Sequence, residues 1–280
     1  MACFLPVDGT PKVLKAPART ASEDLSVLPR LEEEARRILQ ASSDKKVVLK
    51  LIGGVAIAMR CPSARREGLR RDYVDLDLVG HEKQSRAIKN FFAEMEYQPR
   101  ERFNAMMGRK RLIFNDLVNH RRVDIFLDVF EMSHRFDFAE RVELEALTLP
   151  LADLLVTKLQ IVQINDKDLR DMATLIMDHD VGSADGETIN GSYIARLCSS
   201  DWGVFKTFTS NLSKLEASLD GYGLSSSEID RGRARIRGLA DLIEKEPKSL
   251  AWKLRARVGE RLTWYELPEA DTPVVAGSFA

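Results

Sequence analysis

The chain has 280 residues, of which 44% are hydrophobic and 30% charged, and its formal net charge is −1. This composition predicts a globular protein of about two domains and excludes a protein that binds nucleic acid through its overall charge. Because no apolar run reaches the ~20 residues of a membrane span and none resembles a signal peptide, we expect a cytoplasmic protein without a membrane partner.

The first half of the chain contains hydrophobic patterns of helical period and of strand period. Residues 1–20 are rich in proline, lysine and small side chains, which predicts a flexible arm. In chain order we then predict helix 28–40, strand 47–52, helix 55–59, strand 73–79, helix 82–97, and strands 109–115 and 122–128. These elements predict a small mixed α/β domain over residues 21–145.

From Pro150 onward the apolar residues recur at helical spacing. The predicted helices cover residues 151–164, 167–178, 188–198, 204–219, 227–246 and 249–258. We therefore assign residues 146–280 to a helical C-terminal domain. The predicted fold class is α+β, with a small mixed β-sheet and its flanking helices followed by this helical domain.

Asp75 and Asp77 lie in the apolar run 73–79, where alternation places both carboxylates on one face of the strand. Asp124 lies in a similar run, 122–128, and adds a third carboxylate. Carboxylates so close repel one another and cannot be buried unpaired, which favours divalent cations between them. Hard oxygen ligands suit Mg²⁺, which also binds substrate phosphates. The pattern predicts phosphoryl or nucleotidyl transfer, although an isolated Asp-x-Asp is common on solvated strands.

Gly53-Gly54 follows one predicted strand and opens a helix. Such a pair is most often a tight turn, but glycine also lets the backbone approach a phosphate at a helix N-terminus. Lys158 emerges from the apolar face of helix 151–164, where it either extends to water or reaches a triphosphate.

Basic residues cluster at 65–71, at 109–111, at 120–122 and over 231–261. Solvated helix and strand faces explain much of this charge, and a groove for RNA or another polyanion is the alternative.

The order of Gly53-Gly54, Asp75-Leu76-Asp77 and Val123-Asp124-Ile125 resembles the DNA polymerase beta-like nucleotidyltransferase superfamily. Within it, the chain is most similar to the abortive-infection-type toxin nucleotidyltransferases. These carry an Arg-x-Thr-x-Asp-x-Asp strand, a helix with a lysine, and a basic residue followed by Asp-x-x-Asp. The matching segments are Arg71–Asp77, with Tyr73 in place of the threonine, Thr157-Lys158-Leu159, and Lys167–Asp171.

The resemblance implies transfer of NMP from a nucleoside triphosphate to a hydroxyl acceptor. It implies that two Mg²⁺ ions bind to Asp75, Asp77 and Asp124. It further implies a nucleotide site formed by Gly53, Gly54, Arg71, Lys158, Asp168 and Asp171, with Lys158 also in the catalytic set. A toxin–antitoxin context adds a regulatory protein as a candidate partner.

Two alternatives follow from the same residues. The first keeps the chemistry but transfers NMP to a small molecule such as an aminoglycoside, which would require an acidic acceptor pocket. The basic C-terminal stretch favours RNA over such an acceptor. The second is a non-catalytic nucleotide-binding or antitoxin-like module, which is disfavoured because all three aspartates are present.

Overall fold

A computed structural model describes residue 27 and residues 30–267 of the chain, and the predicted arm over residues 1–20 lies outside them. Its first half is built on a mixed sheet. The strands are β1 (Leu49–Ile52), β2 (Asp75–Gly80), β3 (Gln98–Pro99), β4 (Arg111–Asp116), β5 (Arg121–Leu127), β6 (Val129–Glu131) and β7 (Arg135–Asp137). Their order is β1-β2-β5-β4-β3, with β6 paired to β5 and β7 to β6. The β2–β5 pair is parallel and the other pairs are antiparallel.

Helices flank this sheet and form most of the second half. They are α1 (Leu31–Asp44), α2 (Gly53–Arg60), α3 (Ser85–Glu94), α4 (Glu101–Met107), α5 (Leu151–Leu159), α6 (Asp166–Asp178), α7 (Gly191–Ser200), α8 (Trp202–Ser218), α9 (Ser226–Lys245) and α10 (Leu250–Val258). Two short strands, β8 (Val181–Gly182) and β9 (Ile189–Asn190), pair with each other. The α+β class predicted from the sequence is confirmed.

Strand β2 illustrates how alternation fixes the faces of the sheet. Leu76 and Leu78 are completely buried on one face, whereas Asp75 and Asp77 lie on the other and are partly exposed. Strand β5 is buried almost throughout, and Asp124 is inaccessible to solvent between two apolar neighbours. The carboxylates therefore lie on the sheet face away from the packed leucines.

The chain segment before α5 joins the two halves. Leu51 donates its backbone N–H to the carbonyl of Leu147 (3.0 Å), and Leu149 donates to the carbonyl of Leu51 (3.1 Å). This pairing brings the start of α5 to the β1 edge, and α5 and α6 both pack against α2. Buried apolar residues from both halves belong to one hydrophobic cluster. The domain boundary at residue 145 stays a prediction.

Several predicted elements need correction. The predicted helix 82–97 begins with a 3-10 turn at Glu82–Gln84, and α3 ends at Glu94. The predicted helix 151–164 ends at Leu159, and Asn165 caps the next helix, α6. The sequence analysis missed α4, β3, β6, β7, β8 and β9, which are short and have no clear periodicity, and the predicted helix 188–198 begins only at Gly191. No helix in the described ranges is long and apolar enough to cross a membrane.

Candidate active site

The parallel pairing of β2 with β5 determines which carboxylates meet. Its register places Asp77 opposite Asp124 and Asp75 opposite Arg122. On the other side of β2, Ile52 at the end of β1 pairs with Asp77. Residues directly opposite in paired strands point to the same face, so Asp75, Asp77 and Asp124 converge on one face of the sheet. The structure thus brings together the three aspartates that the sequence singled out.

Gly53 lies directly against Asp77. Its backbone has φ = 70°, and a Cβ atom built there would lie 2.3 Å from Oδ2 of Asp77. Any L side chain would therefore be strained and would displace the carboxylate. Helix α2 begins at Gly53, and its N-cap is Ile52, whose side chain cannot accept a hydrogen bond from the first N–H groups. The start of α2 can therefore offer N–H donors to a phosphate beside Asp77.

Gly54 makes room for an arginine rather than for a carboxylate. A Cβ atom there would lie 1.9 Å from a guanidinium nitrogen of Arg71 and 2.8 Å from the ring of Tyr73. Arg71 stacks on Tyr73 with its Cζ 4.0 Å from the ring centroid. The close approach of Arg71 to the start of α2 thus explains the second glycine.

Arg71 and Lys158 share one buried carboxylate on α6. Arg71 donates from two nitrogens to the two oxygens of Asp171 at 2.7 and 2.6 Å. The Nζ of Lys158 lies 2.9 Å from Asp171 and 2.9 Å from Asp168. Burial alone would lower the pKa of Lys158, but the charges of Asp171 and Asp168 raise it above its ordinary value. Lys158 is therefore a charged ammonium group.

Helix α6 presents this pair of aspartates because of its N-terminal cap. The side chain of Asn165 accepts hydrogen bonds from the backbone N–H groups of Lys167 (2.9 Å) and Asp168 (3.2 Å). This cap fixes where the helix starts, and residues three apart on a helix share a face. Asp168 and Asp171 consequently face α5 together and hold Lys158.

Asp77 has a very different environment. Within residues 30–267 no cation is in ion-pair contact with its carboxylate. Burial, followed by the negative charges of Asp124 and Asp75, raises the pKa of Asp77 to about 7, although Lys158 and Arg122 oppose the shift. Asp77 therefore differs from the aspartates of α6, which are in direct ion pairs.

Asp124 is instead held by two arginines that the sequence analysis had assigned to surface clusters. Arg111 on β4 donates from two nitrogens to the two carboxylate oxygens at 2.7 and 2.8 Å. The Nε of Arg122 lies 3.2 Å from Asp124, and its Nη2 lies 3.8 Å from Asp75. Alternation could have indicated Arg122, which is two residues before Asp124. Arg111 depends on the β4–β5 register, which no local pattern reveals.

Asp128, directly after β5, accepts a hydrogen bond from the backbone N–H of Glu82 (2.9 Å) and lies 2.7 Å from Nδ1 of His81, so it pairs at the strand end.

The carboxylates of Asp75 and Asp77 fit Mg²⁺, although protein side chains alone do not complete its coordination. Among the described residues, no three histidine, cysteine, aspartate or glutamate side chains already form a metal cluster. Mg²⁺ keeps several water ligands and is typically bound by one or two carboxylates together with substrate phosphates. Asp75 and Asp77 on a rigid strand, beside the start of α2, meet that requirement.

No protein-family model and no curated protein sequence matches the chain. Two solved structures are similar to it at 12% identity each. The antibiotic-resistance factor ANT(2'')-Ia matches with a TM-score of 0.32, covering 74% of this chain and 91% of that one. An antigenic nucleotidyltransferase-like protein from Paracoccidioides brasiliensis matches with a TM-score of 0.38, covering 82% and 96%.

Proposed function

We propose that this protein is a Mg²⁺-dependent nucleotidyltransferase that transfers NMP from a nucleoside triphosphate to a hydroxyl acceptor. One observation carries the proposal. Asp77, a carboxylate without its own cation, lies between the backbone of Gly53 at the start of α2 and the opposing Asp124. A triphosphate with its metal ions would bring positive charge to the carboxylates. Its phosphates would accept hydrogen bonds from the N–H groups at the start of α2.

Each residue has a distinct task in this proposal. Asp75 and Asp77 would hold the metal ions, with Asp124 as the third carboxylate of the site. Bound Mg²⁺ would stabilise negative charge on the attacking and leaving oxygens. The N–H groups at the start of α2 bind the triphosphate, and Gly53 allows that approach because it has no side chain. Arg71 and Lys158 add positive charge behind it, oriented by Asp171 and Asp168.

The reaction needs little additional acid–base chemistry from the chain. The acceptor hydroxyl attacks the α-phosphate in line and loses its proton to water, the bond to the β-phosphate breaks, and pyrophosphate leaves. Positioning and charge stabilisation account for most of such a reaction.

Four arginines of the basic C-terminal stretch have partners inside the chain. Arg233, Arg235 and Arg237 on α9 pair with Asp220, Asp180 and Glu216. Arg255 on α10 donates to backbone carbonyls of Gly259 and Leu262. These four cations therefore give no support to an RNA acceptor.

Nucleotidyl transfer is tested with purified protein, Mg²⁺ and each of four α-³²P-labelled nucleoside triphosphates, offered total RNA, protein or aminoglycosides as acceptors. We expect label on one acceptor class, lost on addition of EDTA and in the variant Asp75→Ala. The matched control is Asp230→Asn, which changes an exposed aspartate on α9. Equal transfer by Asp75→Ala would contradict the metal assignment. Mg²⁺-dependent nucleotide binding without transfer to any acceptor would favour the non-catalytic module.

A further inference from the structure

Helix α10 presents a line of large apolar side chains to solvent. Leu250, Leu254 and Val258 recur every four residues, so they lie on one face of the helix, and the exposed Leu262 follows at the same spacing. The relative exposure of the three helical residues ranges from 36% to 75%. Single exposed leucines are common, whereas several aligned on one element are typical of an interaction surface. We call Leu250, Leu254 and Val258 the α10 stripe.

The other side of α10 is anchored to the rest of the protein. The ring of Trp252 packs edge-on against Phe205, with 5.2 Å between the centroids, and the Cζ of Arg255 lies 4.7 Å from the ring centroid of Trp202. Both aromatic partners belong to α8. Trp252 lies two residues before Leu254, about half a helical turn away. The stripe therefore faces away from α8.

A row of basic side chains flanks the stripe on one side. Lys253, Arg257 and Arg261 each follow a stripe residue by three positions, which places them along the same flank. All three are exposed, and within residues 30–267 none of them is in an ion pair. On the other flank, Arg255 donates to backbone carbonyls at the end of the helix. We call Lys253, Arg257 and Arg261 the basic row.

The charge of this segment is not balanced within it. Residues 249–262 contain four basic residues and a single acidic one, Glu260, which pairs with Lys206 on α8. The basic row therefore offers positive charge to another molecule, next to side chains whose removal from water is favourable. A complementary surface combines apolar side chains with carboxylates along one edge.

We propose that the α10 stripe and the basic row form a docking surface for an acidic amphipathic helix of a partner protein. The helix lies along α10 and packs its apolar residues on the stripe, while carboxylates at one of its edges pair with the basic row. This surface lies outside the candidate active site and does not rest on the proposed function.

The one-sided charge favours this occupant over the alternatives. An anionic membrane would meet both flanks of α10 equally, but the unpaired cations lie on one flank only. Two copies of the chain packed antiparallel through the stripe would bring their basic rows together, which is repulsive. Single-stranded nucleic acid binds through stacking on aromatic rings, and the stripe is aliphatic.

The docking surface is tested by fluorescence anisotropy with the full chain and three designed helical peptides. The acidic peptide carries leucines along one face and glutamates along one edge of it. The basic peptide has lysine in place of each glutamate, and the third peptide has serine in place of each leucine. We expect wild type to bind the acidic peptide about tenfold more tightly than either of the others, with an affinity that decreases as salt is added.

Exchange of charge tests whether the basic row makes the contact. The double variant Lys253→Glu/Arg257→Glu should lose about tenfold in affinity for the acidic peptide and should gain affinity for the basic one. Leu254→Ser should weaken binding of the acidic peptide. The matched control is Leu144→Ser, between β7 and α5, because both leucines are 53% exposed. It is expected to bind like wild type.

Four results would overturn the proposal. Equal binding of the acidic and basic peptides to wild type, or no binding of the acidic peptide, would mean that the basic row does not select the partner. Binding to phosphatidylcholine–phosphatidylserine vesicles that is lost in Leu254→Ser would assign the stripe to a membrane surface. A dimer in sedimentation velocity that is lost in Leu254→Ser would assign it to a second copy of the chain.

Discussion

Two groups of aspartates face the candidate site, one on α6 and one on the β2–β5 strand pair. On α6, Asp171 is almost fully buried and is bonded to both Arg71 and Lys158. On the strands, Asp77 is in contact with no cation among residues 30–267, and burial and its acidic neighbours raise its pKa to about 7. The chain neutralises the α6 group itself and pairs Asp124 with Arg111 and Arg122, but residues 30–267 give Asp77 no ion-pair partner. Removing Asp171 and removing Asp77 should therefore have opposite consequences.

The largest effect is expected from Asp77→Asn, on catalysis. Removing one metal ligand should reduce NMP transfer about a thousandfold, because bound metal supplies several kcal/mol of transition-state stabilisation. The variant should fold normally, since no ion pair is lost. Single-turnover rates under saturating nucleotide measure the effect, with Asp230→Asn as the exposed control. A decrease of less than tenfold would mean that Asp77 is not a metal ligand in the reaction.

The corresponding change on α6, Asp171→Asn, should mainly affect stability. Breaking a buried ion pair from one side leaves Arg71 and Lys158 without their common partner, which costs about 3–5 kcal/mol. Urea unfolding of metal-free protein measures this loss. In the same experiment Asp77→Asn should lose no stability, because it removes repulsion from Asp124 and Asp75. Equal destabilisation of the two variants would show that the two groups do not differ in the proposed way.

The arrangement of the strand aspartates could be predicted from the sequence, whereas the ion pairs of the α6 aspartates could not. Alternation along residues 73–79 placed Asp75 and Asp77 on one face, and the structure agrees. The strand and helix elements around them were predicted within a few residues, because their periodicity is local. The partner of Lys158 was left open between water and a triphosphate, since its pairing with Asp171 depends on how α5 packs against α6.

Arg111 and Arg122 illustrate a second limit of the sequence. Both lie in clusters of basic residues, a pattern typical of a solvated or polyanion-binding surface. The structure places both arginines against Asp124. Arg122 lies on the same strand as Asp124, whereas Arg111 reaches it through the register of β4 with β5, in which Arg111 pairs with Phe126. Sequence spacing contains no information on pairing between strands. Composition of a segment therefore gave its charge but not its partner.

Gly53→Ala should affect both stability and the site, by less than the changes above. The positive φ of Gly53 costs an L residue about 1–2 kcal/mol, and the new Cβ would displace the carboxylate of Asp77. Gly223→Ala is the matched control, because Gly223 has a φ of 62° and open space around the added atom. We expect similar decreases in the free energy of unfolding for both variants, and weaker Mn²⁺ binding only for Gly53→Ala. Weakened binding in both, or in neither, would contradict the contact with Asp77.

A pH dependence should also separate Asp77 from the paired aspartates. Its folded-state pKa of about 7 lies above the ordinary value of 3.8, so the folded protein binds more protons than the unfolded chain between these values. In metal-free protein this group's contribution to stability therefore decreases as the pH rises from about 4 to about 7, and it should be absent in Asp77→Asn.

Mn²⁺ binding should show the reverse trend, because the metal requires the deprotonated carboxylate. Affinity should increase about tenfold from pH 6 to pH 8, since at pH 6 most of the Asp77 carboxyl groups are protonated. Calorimetry in buffers with different ionisation enthalpies would also detect release of a proton on binding near pH 6 and little release at pH 8. A pH-independent affinity would mean that Asp77 is already ionised through another cation. The contrast with Asp171 would then disappear.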